Sequence, residues 1–131
     1  MGAELVTIST DTQFVHLAWH RHEGEMENVK YPMGSDANTK VSRLFGVYLD
    51  DAGVALRGTF LINPEGRLVS SEINELNVGR NMEELIRLVD ALQFHEEHGE
   101  VCPANWQEGA RTIKPTVDES KEFFGAEYES Q

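Results

Sequence analysis

Leu56-Arg57-Gly58-Thr59-Phe60-Leu61-Ile62-Asn63-Pro64-Glu65-Gly66-Arg67 reads as a strand, a tight turn and the start of a second strand. Thr59 to Ile62 is a β-branched and aromatic run. Asn63-Pro64-Glu65-Gly66 supplies the turn, because proline presets its φ and glycine accepts a positive one. The next strand is predicted over about Arg67 to Ile73. Arg57 stands just ahead of the first strand, where a guanidinium is costly unless it is paired or exposed in a site. A salt bridge at the strand end is the structural reading of Arg57, and exposure in a site the functional one.

Upstream, Leu5, Val6 and Ile8 with Thr7 form a nearly continuous apolar run, the pattern of a buried strand in a covered sheet. Thr10 stands three before Gln13, a capping-box spacing. Phe14, Leu17 and Ala18 then give one apolar helical face. Asp36 is placed to cap a short helix with apolar positions Val41, Leu44 and Phe45, and Gly46 ends it. Asp50-Asp51-Ala52-Gly53 is a turn. Downstream, Asn81 with Glu84 opens the longest helix, with Met82, Leu85, Ile86, Val89 and Leu92 at helical spacing. The pattern breaks at Gly99, and a last short helix is predicted over Val117 to Phe124, capped by Thr116 with Glu119. Strands alternating with helices define an α/β layer fold.

The only cysteine, Cys102, lies in Gly99-Glu100-Val101-Cys102-Pro103-Ala104-Asn105-Trp106. A lone thiol is either an inert small hydrophobe or half of a redox pair. Glu100 argues against burial and Pro103 stops a helix from running through the thiol. The flanks therefore favour an exposed, extended arm that offers sulfur to another group.

The chain has 131 residues and a net charge of −12, with acidic residues spread along it. That length suits one domain. The charge argues against nucleic acid, which requires a basic stripe, and against an anionic membrane surface. No apolar run approaches the roughly 20 residues of a membrane span, and no signal peptide is read at the start. Gly2 is not in a myristoylation context, since Val6 stands where serine or threonine is needed. One cysteine builds no disulfide framework, so the expected location is cytoplasmic. His16 and His20, with His22 near, and His95 with His98 share helix faces, but no acidic or cysteine ligand accompanies either pair in a recognised motif. Asp50-Asp51 and Glu96-Glu97 lack EF-hand spacing. No metal or cofactor is expected, and a histidine metal module would need stoichiometric metal.

Several separated segments, in order, resemble the typical 2-Cys peroxiredoxins, the alkyl hydroperoxide reductase C and thiol-specific antioxidant family. They are Val6-Thr7-Ile8-Ser9-Thr10-Asp11, Phe14-Val15-His16-Leu17-Ala18-Trp19, Tyr31-Pro32-Met33-Gly34-Ser35-Asp36 (a loop before the next helix), Leu44-Phe45-Gly46-Val47, Leu56 to Gly66, Gly99 to Trp106, Ile113-Lys114-Pro115 and Ser120-Lys121-Glu122-Phe123-Phe124. The resemblance implies a thioredoxin-like fold, incomplete at the N-terminus, with a core over 1–98 and an arm over 99–131. It implies a thiol-dependent peroxidase that reduces hydrogen peroxide and alkyl hydroperoxides in its intact form. Arg57 would be the active-site arginine and Cys102 the resolving cysteine. A thioredoxin-like or flavin-linked disulfide reductase would serve as reductant. Antiparallel homodimers, often decamers, would pair through the last strand.

The departure from the family is as informative. Its peroxide-attacking cysteine sits in a Pro-x-x-x-Thr-x-x-Cys loop that has no counterpart here, so the chain alone is expected to be inactive. Met1-Gly2-Ala3-Glu4 resembles the interior of a longer protein. A selenocysteine codon read as a stop, truncation, a frameshift or a deliberate cut would each explain the start. The missing region would also supply a central strand between Leu5–Ser9 and Thr59–Ile62, leaving an exposed edge and poor stability. Relatives with a Tyr-Phe pair and a Gly-Gly-Leu-Gly loop are easily over-oxidised. Phe123-Phe124 stands where the first occurs, but Glu23 to Asn28 stands in place of the loop; with half of the pair absent, a comparatively peroxide-resistant form is expected. The non-enzymatic alternative is a peroxiredoxin-like interaction or chaperone-like module.

Overall fold

The computed structural model describes residues 2–129; Met1, on which the reading of the start rests, and Ser130 and Gln131 at the end of the arm lie outside them. The chain divides into two compact units, Gly2–Arg80 and the residues from Asn81 onward.

The first unit begins with β1 (Thr7–Ser9), α1 (Gln13–His22), a 3-10 turn (Gly24–Asn28) and β2 (Met33–Ser35). β1 and β2 pair in parallel, with Thr7 opposite Met33 and Ser9 opposite Ser35. The ladder is closed at its ends by Thr7 N–H to the Pro32 carbonyl (3.1 Å) and Asp36 N–H to the Ser9 carbonyl (2.7 Å). Residues 31–36, expected as a loop, therefore carry a strand. Its signal was weak because a three-residue strand has too few positions to show a period, and its partner lies a whole helix away. Gly34 permits the close pairing, since a Cβ there would lie 3.3 Å from Ile8 Cγ1.

α1 is capped by Thr12, whose hydroxyl accepts from Val15 N–H, two residues later than Thr10 would have placed it. Its apolar side chains are not covered: Phe14 is 71% exposed, and Leu17 and Trp19 are about half exposed. The inward residue is His16. Leu5, Val6 and Ile8 are likewise half exposed rather than buried. The reason is topological. The described strands form three separate two-stranded sheets, and none pairs with both β1 and β5.

Asp36 organises the next segment, α2 (Lys40–Leu44). Its carboxylate is 2% exposed. It accepts Val41 N–H (2.9 Å), Ser42 N–H (2.8 Å) and the Ser42 hydroxyl (2.6 Å), satisfying helix donors that have no intrahelical partner. Gly46 ends the helix at φ 71. Leu44, read as a core position, is exposed instead. Burial alone would raise the Asp36 pKa, but the Ser42 and Val41 hydrogen bonds outweigh it and hold the carboxyl below 3.8. A depressed carboxyl contributes stability above its ordinary pKa and loses it as pH falls through the depressed value. Asp36→Asn should therefore be less stable than the parent at pH 7, and the gap should close as pH falls below 3.8. Chemical denaturation at pH 7, 4 and 2.5 checks this, and a gap that stays constant would contradict it.

β3 (Tyr48–Leu49) and β4 (Val54–Ala55) flank the Asp50–Gly53 turn. β5 (Arg57–Ile62) and β6 (Leu68–Asn74) form the hairpin expected from the opening motif, with a register shift between Leu61 and Ile62. Gly66 takes φ 78, and the Asn63 side chain accepts Arg67 N–H at 2.8 Å, which sets the turn. Phe60 packs against Phe45 with ring centroids 4.5 Å apart, next to buried Val47 on the hairpin's inner side.

In the second unit α3 (Met82–His98) starts at Asn81, whose side chain accepts Glu84 N–H, and stops at Gly99 with φ 70. Residues 99–116 fold back through a bridge between Val101 and Ile113. α4 (Val117–Glu129) runs five residues beyond the expected Phe124. Thr116 caps it, accepting Glu119 N–H and donating its hydroxyl to the Glu119 carboxylate at 2.6 Å. Gly125 does not stop it, because Ala126, Glu127 and Tyr128 continue the turn without a breaker.

Candidate functional site

The first unit carries a polar face on the β5–β6 hairpin. Side chains two apart on a strand share a face, so Arg57 and Thr59 lie together, opposite Asn74 and Glu72 of β6. Arg57 is exposed and its Nε donates to the Leu76 carbonyl at 3.2 Å. Among the described residues it forms no ion pair, so the strand-end salt bridge is not made. Arg80, an ordinary loop arginine in the sequence, joins the same face. Its Nε donates to the Thr59 hydroxyl (2.9 Å) and its Nη2 to the Gly58 carbonyl (3.1 Å). Asn74 ties the far side, donating to the Glu72 carboxylate and to the Gly79 carbonyl, each at 3.1 Å. Two guanidinium groups fixed through backbone carbonyls and a hydroxyl form a cationic face on an acidic chain. Such a face can stabilise a thiolate or the negative charge developing on a leaving oxygen.

The second unit carries the thiol. Cys102 is half-buried, with Sγ 3.6 Å from the Ala91 carbonyl of α3. The expected extended arm is instead a closed loop. Val101 and Ile113 exchange N–H to carbonyl bonds of 2.7 and 2.8 Å at its neck. Trp106, 2% exposed, plugs it against Phe94 with ring centroids 5.1 Å apart. The indole N–H donates to the Ala110 carbonyl (3.2 Å), and the Trp106 carbonyl accepts from Arg87 (3.1 Å). Glu100 does not force the segment into solvent, because its carboxylate takes the Thr112 hydroxyl. Burial raises the Cys102 pKa above its ordinary value. The Arg87 charge opposes that rise and the Glu100 charge adds to it.

The histidines are engaged separately. Ser9 donates its hydroxyl to Asp11, so the 2.5 Å contact between Ser9 Oγ and His16 Nε2 has the imidazole as donor. His16 is buried and its Nδ1 has no partner. His20 Nε2 lies 3.3 Å from the Val29 carbonyl. Among the described residues no three His, Cys, Asp or Glu side chains lie together as a metal site, and no helix is long and apolar enough to cross a membrane.

Residues 1–71 match the model of the AhpC/TSA family. The chain belongs to the AhpC/TSA family. Residues 91–126 of this AhpC/TSA chain also match the model of the C-terminal domain of 1-Cys peroxiredoxin. It is 47% identical over 128 residues to a thioredoxin peroxidase of Echinococcus granulosus, covering 95% of this chain and 66% of that protein. It is 46% identical to peroxiredoxin-2 of Rattus norvegicus, covering 95% of this chain and 64% of the relative. The reduced 2-Cys peroxiredoxin of Plasmodium vivax superposes with a TM-score of 0.88 at 35% identity, covering 93% of this chain and 64% of that one. AhpC of Enterococcus faecalis superposes with a TM-score of 0.72 at 44% identity, covering 76% and 60%. The fold is the thioredoxin-like α/β fold of this family, as the sequence motifs implied. The AhpC/TSA chain spans just under two thirds of the length of the curated relatives it matches.

Proposed function

We propose that this chain is the C-terminal part of a typical 2-Cys peroxiredoxin, a thiol-dependent peroxidase acting on hydrogen peroxide and alkyl hydroperoxides. The observation that carries the reading is that a chain so similar to a 2-Cys peroxiredoxin has its only thiol at Cys102. On this reading the peroxidatic residue, a cysteine or selenocysteine, belongs to a region of the intact protein outside this chain. Residues 1–98 then serve as the core and 99–131 as the arm.

In the proposed cycle the peroxidatic thiolate attacks one peroxide oxygen, the O–O bond breaks, and the alcohol or water leaves. Arg57 stabilises that thiolate and the leaving oxygen. The resulting sulfenic acid is attacked by the Cys102 sulfur of a partner subunit; an S–S bond forms, the S–O bond breaks, and hydroxide leaves as water. A thioredoxin-like or flavin-linked reductase regenerates both thiols by exchange. The unpaired outer edge of β6 suits the strand pairing of a homodimer, from which a decamer is built. A cytoplasmic location accords with a single, unpaired cysteine.

The test begins with the codons upstream of Met1. An open frame encoding Pro-x-x-x-Thr-x-x followed by cysteine, or by an in-frame UGA, is expected. In the completed polypeptide, Arg57→Gln should lower the peroxide rate constant by about 10²–10³. Cys102→Ser should abolish reductant-dependent turnover and the intersubunit disulfide on a non-reducing gel. Full turnover in both variants would overturn the assignments.

A second reading, a non-catalytic interaction module that docks on intact relatives, is favoured by the exposed apolar residues of α1 and β1. Co-purification with a full-length partner and no upstream frame would select it.

A further inference from the structure

Arg87 joins three parts of the second unit. Its Nε and Nη2 grip the Glu84 carboxylate at 2.6 and 2.9 Å, and its Nη1 donates to the Trp106 carbonyl at 3.1 Å. One turn further along α3, the Ala91 carbonyl receives the Cys102 thiol. Residues four apart share a helix face, so the guanidinium and the thiol contact lie on one side of α3. Phe94 continues that side and holds the indole of Trp106.

We propose that Arg87 is a positioning residue for the resolving step, latching the 102–112 loop through Trp106 and standing as a fixed cation on the side of α3 that receives the Cys102 thiol. The inference rests on Cys102 being the resolving thiol. The thiolate is the attacking form, so a fixed cation beside the loop raises the fraction able to attack the sulfenic acid. Glu84 is what keeps the guanidinium in place, since an arginine fork held bidentately loses its rotational freedom. The charged groups around the thiol divide in sign: Arg87 favours the thiolate and Glu100 opposes it. Glu84 pairs with Arg87 at 2.6 Å. His95 binds the Glu100 carbonyl through Nδ1 at 2.8 Å.

The chain has one cysteine, so alkylation by iodoacetamide across a pH series reads Cys102 alone. In this reaction the thiolate forms an S–C bond and iodide leaves. Arg87→Lys keeps the charge and loses the fork, whereas Arg87→Gln loses both. Hydrogen exchange over residues 102–112 should be faster than in the parent for both variants. At this matched opening, the alkylation midpoint of Arg87→Gln should lie about one pH unit above that of Arg87→Lys, with alkylation at pH 7 roughly tenfold slower. Glu84→Gln keeps the Arg87 charge but removes the carboxylate that clamps it, so exchange over residues 102–112 should quicken; it keeps the test open if an Arg87 variant does not fold, and unchanged exchange would overturn the latch. Equal midpoints for the Lys and Gln variants, or unchanged loop exchange in both, would overturn the proposal. The resolving role is read separately, by trapping Cys102 in a mixed disulfide with a sulfenylated thiol. Failure of trapping with the midpoints as expected would remove the resolving role and leave the electrostatics standing.

Discussion

Purified and mixed with hydrogen peroxide, a thioredoxin and its reductase, the 131-residue chain should turn over no faster than an ordinary protein thiol. Peroxide reduction requires a thiolate held beside a cation, and the one thiol available is poorly suited. Burial raises the Cys102 pKa, so at neutral pH it is mostly the unreactive thiol. Arg57 is bonded to the Leu76 carbonyl on the β5–β6 hairpin. Enzymes gain about 10⁶-fold or more from aligned groups of this kind, and a lone protonated thiol forgoes nearly all of it. Reductant consumption followed by absorbance should match that of Cys102→Ser within error. Saturable, thioredoxin-dependent turnover by the chain alone would contradict the assignment of Cys102 as a resolving rather than an attacking thiol.

The parts of the fold legible in the sequence are those encoded within a few neighbouring residues. Asn63 to Gly66 specify their turn, Asn81 and Gly99 bracket α3, and Asp36 reaches the start of α2 five residues on. Each is one local hydrogen bond or one backbone preference. That Thr12, and not the expected Thr10, caps α1 was decided by more. Ser9 accepts Asp11 N–H and donates to the Asp11 carboxylate, holding the chain in a turn through that point and delaying the helix to Thr12. Met33–Ser35 pairs with a strand on the far side of α1, which no local period reveals. The site divides the same way. Arg57 and Cys102 stand out because a cation before an apolar strand and a lone thiol are unusual by themselves. Arg80 and Arg87 look like ordinary surface arginines until folding brings Thr59 to one and Trp106 to the other. Glu100 and Pro103 suggested an extended arm, but the buried Trp106 indole, the Val101–Ile113 bridge and the Thr112 bond to Glu100 fold it back.

That indole gives the largest stability effect expected in the chain. Trp106 is 2% exposed, and its ring, its indole N–H and its carbonyl each engage a different partner. Trp106→Ala removes the ring that fills the 102–112 loop and leaves the Ala110 carbonyl without its donor. Large-to-small changes at such sites cost about 3–5 kcal/mol. That is a large share of the roughly 5–15 kcal/mol that stabilises a whole domain, and here it falls on the second unit. The melting temperature should drop by about 10–20 °C, and hydrogen exchange over 102–112 should approach that of an open chain. Trp106→Phe keeps an aromatic ring against Phe94 and loses the indole donor with part of the ring volume, so its cost should be smaller, about 1–3 kcal/mol. Releasing the loop also returns Cys102 to water, which removes the burial that raises its pKa. Alkylation at pH 7 should therefore quicken in Trp106→Ala even as the fold weakens. A Trp106→Ala protein that melts within about 2 °C of the parent and keeps its loop protection would mean that the Val101–Ile113 bridge and the Arg87 latch hold the loop without the indole.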